Sequence, residues 1–102
     1  PPAELTARIQ AEGQLMARAY DAAAPEPLWQ APFRRPVPHR ANSRFGTRSV
    51  FNGEPRSAHA GTDFQSPAGT PVRAPNAGRV AVARDLFFAG KSVLIDHGGG
   101  LF

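Results

Sequence analysis

The sequence predicts a mainly β chain, an antiparallel sheet domain preceded by an N-terminal α-helix and a Pro-rich linker. Three observations predict it: a narrow apolar helical arc at the start, five closely spaced prolines after it, and short β-prone runs between turn signals. With 102 residues there is room for one small core, and 11 prolines with 10 glycines favour turns and short extended segments over a helical bundle.

Residues 3–23 are rich in Ala, Leu, Gln, Glu and Arg, and Leu5, Ile9, Met16 and Tyr20 fall on one arc of a helix. Gly13 weakens that helix by roughly 1 kcal/mol relative to Ala, so the arc is expected to pack on something. Residues 1–24 form this segment. Prolines 25, 27, 32, 36 and 38 then remove backbone donors and impose extended geometry, giving a linker over 25–43. Leu28, Trp29 and Phe33 distinguish it from a flexible spacer and predict packing against the sheet domain. From residue 44 onward the β-prone runs are Thr47–Phe51, Thr70–Ala74, Gly78–Ala83 and Lys91–His97. Asn52-Gly53, Ala89-Gly90 and Gly98 to Gly100 supply turns, and no helix of useful length fits after residue 44.

The net charge of +4 comes from 11 arginines and one lysine against eight carboxylates, which favours acidic partners without naming one. Only Arg34 and Arg35 are adjacent, so the charge reads as a solvated basic surface, and no nucleic-acid partner is expected. Without cysteine there is neither a disulfide nor a thiolate zinc site, which leaves His and carboxylate as metal ligands. No apolar run approaches the roughly 20 residues of a membrane span. The Pro-Pro start leaves open a leader or anchor ahead of it.

The stretch His59-Ala60-Gly61-Thr62-Asp63 sets a histidine and a carboxylate four residues apart, within reach of one divalent ion, with Gly61 permitting a bend. An ordinary His-carboxylate hydrogen bond explains the pair equally well. The surrounding order matters more: Arg44-Phe45-Gly46, Phe51-Asn52-Gly53, HAGTDF, Pro67-Ala68-Gly69-Thr70-Pro71-Val72, then Ala74, Gly78, Val80, Gly90 and Val93-Leu94-Ile95-Asp96-His97-Gly98. This succession resembles the lysostaphin-type (LytM-like) zinc metallopeptidases over residues 43–102.

The resemblance implies that residues 44–102 are the N-terminal part of a peptidase domain, truncated at Phe102. It implies zinc as cofactor, His59 and Asp63 as two of its ligands, and peptidoglycan peptides as substrate in a periplasmic or extracellular setting. The third ligand, in a His-x-His motif, and the family's catalytic histidines are expected beyond residue 102, so no catalytic residue is assigned here. The C-terminal remainder of the domain is then required for activity, and a piece without it should be unstable. Ligand chemistry alone makes His97 a tempting third ligand. The resemblance instead aligns it with a strand end and a structural or rim role. His39, between Pro38 and Arg40, is expected to face solvent, and nothing marks Glu54 as a base. The alternatives are a degenerate, non-catalytic member that regulates a cell-wall hydrolase, and a non-enzymatic envelope-binding module.

Overall fold

The computed structural model describes residues 2–41, 50–51, 54–55 and 61–102. Its elements run α1 (Ala3–Asp21), β1 (Val50–Phe51), β2 (Glu54–Pro55), β3 (Arg79–Leu86) and β4 (Gly90–Asp96). They fall into two compact units, one of Pro1–Arg34 with Ala74–Phe102 and one of Arg35–Arg73.

In the first unit, α1 begins after Pro2, which carries no side-chain cap. The helix has Glu4 in its first turn and Arg18 in its last, the sense that complements the helix dipole. Leu5, Ile9 and Met16 are half-buried as expected, joined by Glu12, Leu15 and Ala19. Tyr20 is mostly exposed, with its ring edge-on to Phe102 at 4.9 Å. The stripe therefore passes through Ala19 rather than Tyr20. The helix packs along β3. Arg8 donates from NH2 to the Asp85 carbonyl at 3.0 Å, and the Phe87 amide donates to Glu12 Oε1 at 2.8 Å. Gly13 sits on the outer side, where an added Cβ would meet nothing within 4 Å. Gly13→Ala should therefore stabilise the chain by about 0.5–1 kcal/mol, read as a higher urea midpoint at unchanged slope.

Strands β3 and β4 pair antiparallel, with Arg79 opposite Asp96 and Leu86 opposite Gly90. The register shifts between Val80, opposite Ile95, and Val82, opposite Leu94. This bulge at Ala81 sends Val80 and Val82 to opposite faces, since Ile95 and Leu94 alternate on their own strand. Val80 is 61 % exposed while Val82 is 4 % exposed. Simple alternation would have placed both on one half-buried face. Val82 and Leu86 are the buried apolar residues of β3.

The Pro-rich segment lies against this unit through residue 34. The Leu28 amide donates to the His97 carbonyl at 2.7 Å, and the Arg34 amide to the Pro75 carbonyl at 2.9 Å. Asn76 Nδ2 donates to the Ala31 carbonyl at 2.7 Å. Trp29 packs against Phe33 at 5.6 Å, and Phe33 meets the His97 ring edge-on at 5.1 Å. Packing of the linker aromatics is thus observed.

In the second unit, β1 and β2 pair antiparallel, with Val50 opposite Pro55 and Phe51 opposite Glu54. Of the expected run 47–51, residues 47–49 lie outside the described residues, as does the Asn52-Gly53 turn. Residues 70–74 form no strand, contrary to expectation. Pro71 has no amide to give a ladder, and among the described residues the run's one backbone tie outside its own turn is the Arg73 amide donating to the Pro36 carbonyl at 2.7 Å. Val37 is buried.

Candidate metal centre

His59 lies outside the described residues. Asp63 is described and exposed. It directly precedes Phe64, whose isolated antiparallel bridge to Ala41 continues with the Gln65 amide donating to the Arg40 carbonyl at 3.1 Å. Asp63 thereby leads into a paired segment, with its side chain on the accessible surface. Gly61 has neither a positive φ nor any atom within 4 Å of an added Cβ, so the bend expected there does not itself demand glycine. An accessible carboxylate four residues after an imidazole suits a hard-to-borderline dication, and zinc fits this donor chemistry. Among the described residues no group of three or more His, Asp or Glu side chains could hold a metal ion.

His97 is placed elsewhere and is 4 % exposed. Its Nδ1 lies 2.9 Å from the Ala77 carbonyl, so that nitrogen carries the proton. Its amide donates to the Leu101 carbonyl at 2.9 Å. With Phe33 across its ring, this histidine is a packed structural residue, in agreement with the expected strand-end role. His39 departs from expectation. It is half-buried, and its Nδ1 lies 2.8 Å from Ser66 Oγ, a partner 27 residues away that no local pattern announces.

Asp96 was legible only as part of a motif, yet it ties the first unit together. It is wholly buried. Its Oδ2 accepts from the Ala24 amide at 2.7 Å and from Arg79 at 2.9 Å, and its Oδ1 from the Gly98 amide at 2.8 Å. The Ala24 amide holds the carboxyl below its usual range against the opposing effect of burial, and Gly98 and Arg79 act in the same sense as Ala24. Arg79 also donates to the Ala22 carbonyl at 2.8 Å, capping the chain as it leaves α1. The Asp-x-Gly spacing was the available signal, because an Asp side chain commonly accepts from the amide two residues on.

Comparison with known proteins adds identity to this geometry. The model of peptidase family M23 matches residues 57–102. The chain is 37 % identical over 98 residues to the peptidoglycan DD-endopeptidase ShyA of Vibrio cholerae serotype O1 (strain ATCC 39315 / El Tor Inaba N16961), covering 93 % of this chain and 22 % of that protein. A crystal structure from Pseudomonas aeruginosa, described as a peptidase M23, superimposes with a TM-score of 0.76 at 36 % identity over 98 % of this chain. It covers 39 % of that longer chain. Both likenesses extend well ahead of residue 57, over residues that carry α1 and the Pro-rich segment.

Proposed function

We propose that the protein, whose residues 57–102 match the model of peptidase family M23, is a zinc-dependent endopeptidase cutting peptide cross-links of bacterial peptidoglycan in the periplasm or outside the cell. The observation that carries the reading is the His59–Asp63 pair, which falls within the matched region and offers an accessible carboxylate. A DD-endopeptidase acting on peptidoglycan among the relatives supports the substrate class.

His59 and Asp63 would hold the zinc, with a third ligand from a His-x-His pair that residues 1–102 do not contain. When bound, zinc supplies a Lewis acid that acidifies water and polarises a scissile carbonyl. The chain's own contribution is to fix donors: the pairing at Phe64 and Gln65 limits how Asp63 can move, which lowers the ordering cost of ligation. Two ligands from one short loop hold a dication far less tightly than three, so residues 1–102 alone should release no peptide from the wall.

The test uses the full domain, with the sequence following Phe102. Zinc content after dialysis and soluble peptide released from purified peptidoglycan are measured for the wild type and for Asp63→Ala. The variant should retain less than about half of the wild-type zinc, with cleavage falling in proportion. Full occupancy and unchanged cleavage in Asp63→Ala would overturn the ligand assignment. A wild type that holds no zinc and cuts nothing would favour the regulatory alternative.

A further inference from the structure

The geometry points to an anion-binding groove between α1 and β3, sharing no residue with the His59–Asp63 pair, that takes a carboxylate carried on a short aliphatic stem. A cavity of about 290 Å³ opens there, lined by Arg8, Ala11, Glu12, Leu15, Arg18 and Arg84. Three arginines and one glutamate are among these residues, and the glutamate carboxylate is already committed. Glu12 Oε2 accepts from Arg8 Nε at 2.9 Å, and its Oε1 accepts from the Phe87 amide. Those contacts, the Phe87 amide foremost and then Arg8, hold the Glu12 carboxyl below its usual range. Arg8 is itself pinned by the Asp85 carbonyl and lies 5.7 Å over the Phe87 ring.

Arg8 takes the larger share of the Glu12 charge and Arg84 a smaller one, and Arg18 and Arg84 line the same cavity. Neither has an ion-pair partner among the described residues. Two arginines lining one cavity favour an oxyanion, which a guanidinium can meet through paired N–H donors. Ala11 and Leu15 add an apolar lining that suits the carbon stem of a carboxylic acid and has no use for a bare phosphate. Peptidoglycan peptides carry such carboxylates. For the source of its ligand this inference rests on the function proposed above, whereas its chemistry does not.

The test is co-sedimentation of the full chain with purified peptidoglycan at low salt. The Arg18→Gln/Arg84→Gln double variant should bind about tenfold more weakly than wild type, the loss expected when charge-assisted hydrogen bonds are removed. An Arg34→Gln/Arg35→Gln variant carries the same loss of charge away from the groove and should bind nearly as wild type. Amidating the wall carboxylates should abolish the difference, and glutarate should compete better than inorganic phosphate. Equal weakening in both double variants would reduce the effect to net charge and overturn the site. Better competition by phosphate would overturn the carboxylate assignment. The Arg18→Gln/Arg84→Gln variant should keep the wild-type zinc content after dialysis, while failure of the metal reading would show in the zinc content of Asp63→Ala, so the two failures are separately visible. Circular dichroism of the groove variant should show α1 intact, because neither side chain makes a contact that holds the fold.

Discussion

Asp96→Ala should lower the melting temperature of the full chain by on the order of 10 °C, the largest effect expected of any single side-chain truncation in the first unit. The carboxylate is wholly buried and collects the Ala24 amide, the Gly98 amide and Arg79. Removing it strands two amides at once and takes from Arg79 its ion-pair partner, and stranded donors cost more than the bonds contributed. Asp96→Asn keeps the volume but turns an NH2 toward one of those donors, so it should also destabilise. The two variants differ from wild type in acid. The folded carboxyl lies below its ordinary value of 3.8, so its contribution is whole above about pH 3.8 and is lost as pH falls through the folded value. The stability gap between wild type and Asp96→Asn should therefore narrow below that pH. A gap constant from pH 7 to pH 2, measured by urea denaturation, would show that the charge of Asp96 contributes nothing.

Gly98→Ala should cost about 3 kcal/mol or more, combining a left-handed backbone with a collision that cannot relax. Gly98 has φ +79°, and an added Cβ would overlap the Glu26 carbonyl oxygen and approach the Leu28 nitrogen to 3.0 Å. Both obstacles are main chain, held by the Leu28 bond to His97. Gly100→Ala is the matched comparison, because φ there is +82° but nothing lies within 4 Å of an added Cβ. It should cost roughly 1–2 kcal/mol, the conformational part alone. Equal urea midpoints for the two variants would remove the collision from the account.

What the sequence made legible, and what it did not, reflects the range of the forces involved. The helix and the two strands of the β3–β4 hairpin are encoded by local periodicity and turn chemistry and form as expected, although β3 runs on to Leu86 past the expected end at Ala83, and the turn falls at 87–89 with Gly90 opening β4. The bulge at Ala81 is set by pairing with β4, so nothing within Val80-Ala81-Val82 announced it. Residues 70–74 read as a strand because Thr and Val are β-prone, yet Pro71 outweighed them. The His39–Ser66 contact and the bonds from Ala24 and Arg79 to Asp96 join residues far apart in the chain, beyond the reach of any local pattern. His59 and Asp63 were found by motif order rather than by geometry. Of that pair, the structure describes Asp63, exposed and beside its bridge.

The strap formed by residues 24–34 has a consequence for how the chain is made. Ala24 leaves the ribosome 72 residues ahead of the carboxylate that its amide will meet. Until residues 75–97 have followed, the strap's amides at Ala24, Leu28 and Arg34 lack their acceptors, and until residues 79–86 have followed, α1 has no β3 on which to lay its stripe. Docking closes a loop around the whole of Arg35–Arg73, so the entropy of that closure falls on a late event in synthesis. The strap, made well before β4, thus finds its place only once β4 has followed it.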